Sequence, residues 1–252
     1  MKKIIVGENM EKAFGEDAEK VKVLNGVSIE IYEGEFVSVM GPSGSGKSSL
    51  MFALSGMDSI DGGKVVYGGK ELSGLKENEL ADLRRSEMGF VFQQPTLLKN
   101  LNILDNIILP SVRGNRRKGT KITEKAKALM QKTSISELET RGITQVSGGQ
   151  LQRAGICRAL MNDPKIIFGD EPTGALNSKS ANEIMDIFSE INTDGTAVML
   201  VTHDAKVAAR TERIMFMLDG KIVSEMRLPK YDRTDVDVRI KKITEKMREI
   251  GI

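Results

Sequence analysis

Residues 41–48 read Gly-Pro-Ser-Gly-Ser-Gly-Lys-Ser, and they stand where an apolar run, Phe36 to Met40, gives way to a helical pattern, Ser49 to Leu54. A chain of phosphates needs many convergent N–H donors. Gly41, Gly44 and Gly46 let the backbone curl into such a nest without side-chain clash, and the dipole of the helix that follows favours an anion at the same point. Lys47 then supplies a point charge to the outer phosphates, and the Ser48 hydroxyl a ligand for Mg²⁺. Ser43, Ser45 and Ser49 belong to the same cradle. A Gly-Ser turn of no chemical consequence would not require a strand before it and a helix after it. The spacing with that context points to nucleotide binding.

A second group of residues suits hydrolysis. Lys165-Ile166-Ile167-Phe168-Gly169 runs into Asp170-Glu171, which puts adjacent carboxylates at the end of a buried strand, the edge at which open α/β sheets bind ligands. Strand alternation aims the two side chains in opposite directions. Asp170 is the candidate for the Mg²⁺ shell and Glu171 for orienting or deprotonating the attacking water. His203, the only histidine, follows the run Thr196 to Val201 through Thr202. A lone histidine is commonly a surface or satisfied core residue; at a strand end it is also placed to hydrogen-bond a γ-phosphate or the lytic water. Lys47, Glu171 and His203 are the catalytic candidates.

Short β-type runs alternate with longer helical ones, which predicts an α/β layered fold with a largely parallel sheet. Strands are expected at Val21–Leu24, Val27–Ile31, Phe36–Met40, Lys64–Tyr67, Met88–Phe92, Lys165–Phe168, Ala197–Val201 and Ile214–Leu218. Glu77 to Arg85 and Thr123 to Lys132 read as helices, with a loop-rich stretch between them, so that residues 77–150 form a helical lobe inserted into the core. The basic cluster Arg113, Arg116, Arg117 and Lys118 has no interleaved aromatics and reads as a solvated loop rather than a nucleic-acid patch. After Pro229 the chain becomes strongly charged, with Ile240, Ile243, Met247 and Ile250 at helical spacing. This tail, 229–252, is either docked on its own domain, 1–228, or free to bind a partner.

A chain of 252 residues with 37 Lys+Arg against 35 Asp+Glu has no overall field for nucleic acid or anionic lipid. No nucleic-acid partner is expected. Cys157 is the single cysteine, which favours a reducing compartment. The N-terminal apolar run is too short for a signal peptide, and nothing approaches the ~18 to 20 apolar residues of a spanning helix. Any membrane crossing falls to another chain.

Val146-Ser147-Gly148-Gly149-Gln150, followed by Leu151-Gln152-Arg153, resembles the signature sequence of ABC ATPases. It is another helix-start anion site in a chain that already has a cradle at 41–48, and such a duplication makes sense across a dimer. The resemblance covers about residues 4 to 228. It implies an α/β P-loop NTPase cassette with a parallel-sheet core, an antiparallel β subdomain and an inserted helical lobe. It also implies that Ser147, Gly148, Gly149 and Gln150 of one subunit close on the ATP held by the other. Gln93 is similar to the glutamine that joins the Mg²⁺ shell and senses a transmembrane partner. Phe14 is similar in position to the aromatic that stacks on adenine, or is simply a core aromatic. Gly174-Ala175-Leu176-Asn177 resembles the D-loop, with Asn177 where the family usually has aspartate; the shape and an acceptor are kept and the charge is lost.

Gly-Phe-Val-Phe-Gln at 89–93, Asn106 to Pro110 and Glu171 to Leu176 resemble the MacB-like group, which includes lipoprotein-release, macrolide-efflux and antimicrobial-peptide-resistance ATPases. Within it, His203 to Ala208 and the charged tail look more like the bacitracin or lantibiotic resistance type found in Gram-positive bacteria. The implied protein is an ATPase that uses ATP and Mg²⁺ and dimerises with a second copy. It drives an integral membrane permease from the cytoplasmic face of the membrane. Pro95 to Leu104 would touch that partner, with Leu97, Leu98 and Leu101 either in the contact or packed in the lobe. A soluble ABC ATPase of translation or DNA repair would share the chemistry, but such chains usually carry two cassettes or long coiled-coil insertions.

Overall fold

The computed structural model describes residues 1–15, 20–112 and 119–252; the basic cluster Arg113, Arg116, Arg117 and Lys118 lies outside them. Two sheets carry the architecture. The first is antiparallel, in the order β2-β1-β4-β5, built from β1 (Lys3–Phe14), β2 (Val21–Tyr32), β4 (Gly62–Tyr67) and β5 (Lys70–Glu71). The second has the order β10-β9-β3-β8-β7-β6. In it β3 (Phe36–Met40), β6 (Met88–Phe92), β7 (Ile166–Asp170), β8 (Ala197–Thr202) and β9 (Arg213–Leu218) run parallel, and β10 (Lys221–Arg227) closes one edge antiparallel.

Every residue of β3 and β8 is buried, as expected of parallel strands covered on both faces. The one hydroxyl on β3, Ser38, is satisfied by Thr211 Oγ1 at 2.9 Å. Helix α1 (Lys47–Leu54) lies between the two sheets, with Leu50, Met51 and Leu54 fully buried among Ile5, Ile31, Val39 and Met199. On the other face α6 (Ser178–Thr193) buries Ile184 and Phe188 against Ile167 and Val198.

Helix α2 (Glu77–Glu87) leans on this framework through Leu80 and Leu83. Helices α3 (Ile103–Val112), α4 (Gly119–Lys132) and α5 (Gly148–Leu160) surround a separate apolar cluster that contains Ile103, Ile107, Ala126, Met130, Ala154 and Cys157. Leu97 is buried there, whereas Leu98 is exposed. Burial pushes the Cys157 thiol up to about 11, against a smaller opposing effect of Thr133, so it is inert as a nucleophile. After α7 (Ala205–Ala208), the charged tail forms α8 (Val236–Glu249). Its Ile243 is fully buried among Met40, Ala208, Ala209 and Phe216, and buried Arg239 donates to the carbonyls of Ala209, Thr211 and Pro229.

Several elements differ from the sequence-based expectation, which also lacks β5 and β10. Strand β1 is absent from it because register shifts at Gly7/Met10 and Lys12/Ala13 break the alternation a strand normally shows. The runs 21–24 and 27–31 are one strand, bent at Gly26 (φ 70°). Helix α3 occupies part of the expected loop; Pro110 lies inside it and reads in sequence as a terminator. Among the described residues, no helix is long and apolar enough to cross a membrane.

Candidate functional site

Parallel register assembles the site. Met40 lies opposite Thr202, Val201 opposite Asp170, and Asp170 opposite Phe92. The next residues out, Gly41, His203, Glu171 and Gln93, therefore leave the adjacent strands β3, β8, β7 and β6 at one carboxyl edge. Of these, His203, Glu171 and Gln93 line a cleft of about 600 Å³ together with Pro42, Ser43, Gly44, Gly46, Lys47, Ser48, Ser49 and Val23.

The 41–48 loop is held tightly from behind. A Cβ on Gly41 would sit 2.1 Å from the Met217 carbonyl oxygen, and one on Gly46 would sit 2.2 Å from that of Val23. Gly46 also has φ 98° as the N-cap of α1 and offers no side chain to the free N–H groups of that helix. The β9–β10 hairpin turn clamps the loop: the Gly220 N–H donates to the Ser45 carbonyl at 3.0 Å, and the Gly220 carbonyl accepts from the Asn25 N–H at 2.9 Å. Buried Ser45 Oγ has no hydrogen-bond partner. Lys47 is buried and folds back on the loop, donating to the carbonyls of Gly41 (2.9 Å) and Pro42 (2.7 Å). Burial lowers its pKa, and the charges of Glu171 and Asp170 partly offset that effect. A desolvated cation among glycine amides, with an unpaired hydroxyl close by in sequence, is a site prepared for a polyanion.

Ser48 Oγ donates to Asp170 Oδ1 at 3.0 Å, so two oxygen donors that could hold a cation are already side by side. Desolvation raises the Asp170 pKa, the Ser48 hydrogen bond lowers it, Glu171 raises it and Lys47 lowers it. Among the described residues no cluster of three or more His, Cys, Asp or Glu suits a metal. A carboxylate, a hydroxyl and the Gln93 amide are hard oxygen donors too few for a full cage, which fits Mg²⁺ shared with phosphate and water. These donors fit the metal the sequence implies.

Glu171 lies just past the end of β7 with φ 46°, and its N–H donates to the Val201 carbonyl at 2.9 Å. Its direction is therefore set by a left-handed turn, not by the strand alternation the sequence suggests; a non-glycine residue there costs on the order of 1 kcal/mol. Oε1 is 2.7 Å from His203 Nδ1, and Oε2 accepts from Thr202 Oγ1 at 3.1 Å. Thr202 Oγ1 in turn accepts from the Asp204 N–H at 3.0 Å. Both carboxylate oxygens are oriented, and the histidine is coupled to one of them.

Residues 24–174 match the family model described as ABC transporter. The chain belongs to the ABC transporter family. It is an ATP-binding subunit of the ABC type and an ATPase. The cassette is 40% identical over 225 residues to the bacitracin export ATP-binding protein BceA of Halalkalibacterium halodurans, covering 88% of each chain. It is 40% identical over 222 residues to the macrolide export ATP-binding/permease protein MacB of Aggregatibacter actinomycetemcomitans, covering 88% of this chain but only 34% of that longer one. Its fold superposes on the dimeric post-hydrolysis state of the ATP-binding cassette MJ0796 bound to ADP and Pi. The TM-score is 0.80 at 36% identity, over 90% of this chain and 100% of the other.

The cassette does not bring every sequence candidate into its own cleft. Ser147 to Gln150 form the start of α5 and are not among its lining residues. There the Ser147 N–H donates to Gln150 Oε1 (2.8 Å), and Ser147 Oγ accepts from the Gln150 N–H (3.3 Å), a capping box. Phe14, at the end of β1, lies outside the lining as well and is 49% exposed. Asn177 caps α6 by accepting from the Ser180 N–H at 2.9 Å, a task aspartate performs equally well. Sequence reasoning missed Val23, Thr202 and Gln152. Gln152 is buried and donates to the Phe92 carbonyl at 3.0 Å, tying the signature helix to the strand before Gln93. The polar residue on an otherwise apolar helix face was its one sequence signal.

Proposed function

We propose that the cassette hydrolyses MgATP in a dimer with a second copy of itself and uses dimer closure to drive an integral membrane permease from its cytoplasmic face. Mg²⁺, when held by Ser48, Asp170 and Gln93, supplies charge neutralisation on the outer phosphates. Gly41, Ser43, Gly44, Ser45, Gly46 and Ser49 bind and orient the phosphate chain, and Lys47 leaves its two loop carbonyls to meet the terminal phosphates. Phe14 stacks on the base. Glu171, its Oε2 fixed by Thr202, accepts a proton from the attacking water through Oε1, and His203 positions that oxygen or the γ-phosphate. Ser147, Gly148, Gly149 and Gln150 of the second copy add donors where charge is redistributed in the transition state.

The observation that carries this proposal is the convergence of a desolvated lysine, a Ser48–Asp170 pair and a doubly anchored Glu171 on one cleft. The likeness to MJ0796, which is dimeric with ADP and Pi, supports the dimer. The likeness to BceA and MacB supports an export system, and the likeness to BceA alone supports a peptide antibiotic as the substrate class. Residues 1–228 act as the ATPase domain, residues 77–150 as its helical lobe, and 229–252 as a helical appendage. Leu98 and Leu101, on the segment after Gln93, meet the permease.

Two experiments test the proposal. Phosphate release from the purified chain, with Lys47→Ala as the blank, is expected to depend on Mg²⁺; equal rates in both proteins would contradict it. Tagging the chain in its native cell and extracting membranes in mild detergent is expected to recover a polytopic membrane protein in stoichiometric amount. Recovery of a ribosome or nucleic acid instead would replace the transport role and leave the ATP chemistry intact.

A further inference from the structure

Strand β1 ends beside the cleft, in an irregular stretch of sheet. Lys12 pairs with Leu24 and Ala13 with Lys22, so Val23 is the extra residue of a bulge, and its carbonyl lies against Gly46 of the phosphate loop. Phe14 follows directly, half exposed opposite Val21. Under the ring is a cation: Lys12 Nζ lies 5.2 Å from its centroid, within cation–π range.

Lys12 is not a solvated surface lysine. It is only 8% exposed, and its ammonium donates to Asp58 Oδ1 at 2.9 Å and to the Ser59 carbonyl at 2.7 Å. The backbone on both sides of it is tied to the same segment. The Ala13 N–H donates to Asp61 Oδ2 at 2.8 Å, and the Asp61 N–H donates to the Glu11 carbonyl at 2.7 Å. That segment closely follows α1, whose first residue is Lys47. The same short helix therefore holds the phosphate end of the cleft at its start and, through 58–61, fixes the strand end that carries Phe14. An exposed aromatic needs such support to serve as a platform, because a ring free to rotate loses its stacking energy to entropy.

We infer that Lys12, held by Asp58, is a positioning residue for nucleobase recognition: it occupies one face of Phe14 and leaves the other face set for the base of the nucleotide. The inference rests on the proposed ATP site with Phe14 as base platform. The Lys12 ammonium is hydrogen-bonded to Asp58 and Ser59, neither of which lines the cleft, so its effect is expected on the base half of the ligand.

Calorimetric binding of ATP and of inorganic tripolyphosphate to the full-length chain separates the two halves. Lys12→Met, which keeps the stem and removes the charge, is expected to weaken ATP about tenfold, the scale of one stacked base. Tripolyphosphate affinity should stay within about twofold, and Lys12→Arg should recover most of the loss. Asp58→Asn, at the more exposed end of the pair, should give a smaller loss with the same selectivity for the base-bearing ligand, and it decides the matter should Lys12→Met not fold. Equal weakening of both ligands, or unchanged ATP affinity in Lys12→Met and Asp58→Asn, would overturn the inference. Phe14→Ala tells which layer has failed. If it binds ATP like the wild type, the platform itself is wrong and the inference falls with it. If it loses ATP affinity while the Lys12 and Asp58 variants do not, only the role of Lys12 is refuted.

Discussion

Two helix N-termini in this chain are rich in glycine and serine, and they are finished differently. At α1 the N-cap is Gly46 in a left-handed conformation with no side chain to offer, so the first N–H groups of the helix are left for a ligand. At α5 the cap is Ser147, and Ser147 and Gln150 satisfy each other's backbone N–H groups. The first terminus opens into a cleft that already contains Lys47, Ser48 and Glu171. The second has Ser147 and Gly148 exposed to solvent. Similar residue types thus make one terminus that opens into a polar cleft and one that closes on its own cap; in the proposed reading the first is a complete phosphate site and the second half of one. A capped, exposed anion site becomes useful when a second molecule presents the anion.

The sharpest way to break this comparison is to destroy the complete site. Lys47→Ala is expected to reduce phosphate release by more than about 1,000-fold, and fluorescence titration should find nucleotide affinity lost with it. Next comes Glu171→Gln, which removes the proposed proton acceptor and keeps the shape. Turnover should fall about 100- to 1,000-fold while equilibrium dialysis finds ATP affinity within a few-fold of the wild type. A smaller effect is expected at the other terminus: Ser147→Ala should slow steady-state hydrolysis about 10- to 100-fold. It should leave ATP affinity of the isolated chain unchanged and lower unfolding free energy in urea by about 1 kcal/mol through loss of the cap. If Ser147→Ala weakened ATP binding to the isolated chain as strongly as Lys47→Ala, the distinction between the two termini would be lost.

The smallest effect concerns pH. Burial raises the Asp170 pKa in the folded protein above its ordinary value, so the folded state holds that proton more tightly than the unfolded one. The resulting stability is present below the unfolded carboxyl pKa and is lost as pH rises through the folded value. Nucleotide- and metal-free protein should therefore lose some thermal stability as pH rises across the carboxylate range. Asp170→Asn should show a shallower dependence in the same melting series. Such a cost at a functional carboxylate is the usual relation between site and scaffold.

The grouping of Lys47, Ser48, Glu171 and His203 around one cleft was legible in the sequence because its parts are local. Glycine spacing, one lysine and a carboxylate pair after an apolar run each occupy a few adjacent residues. What escaped is what depends on register between distant segments. Val23 reaches the cleft only because a bulge opposite Lys12 and Ala13 leaves it unpaired. Thr202 orients Glu171 only because β7 and β8 are in the register that puts Val201 beside Asp170. The same applies to fold elements: β1 was hidden by its own bulges and α3 by Pro110. The proposed role of Ser147 came from family resemblance, since the side-chain hydrogen bonds Ser147 makes among the described residues are those of its own cap with Gln150.

The central claim is that the site of one chain is completed by the α5 terminus of another. Light scattering on purified Glu171→Gln, with and without saturating MgATP, tests it most directly. The mass is predicted to be that of one chain without nucleotide or with ADP, and twice that with MgATP, the doubling being abolished by Ser147→Arg in the same background. A mass of one chain at saturating MgATP across the accessible concentration range would contradict the account.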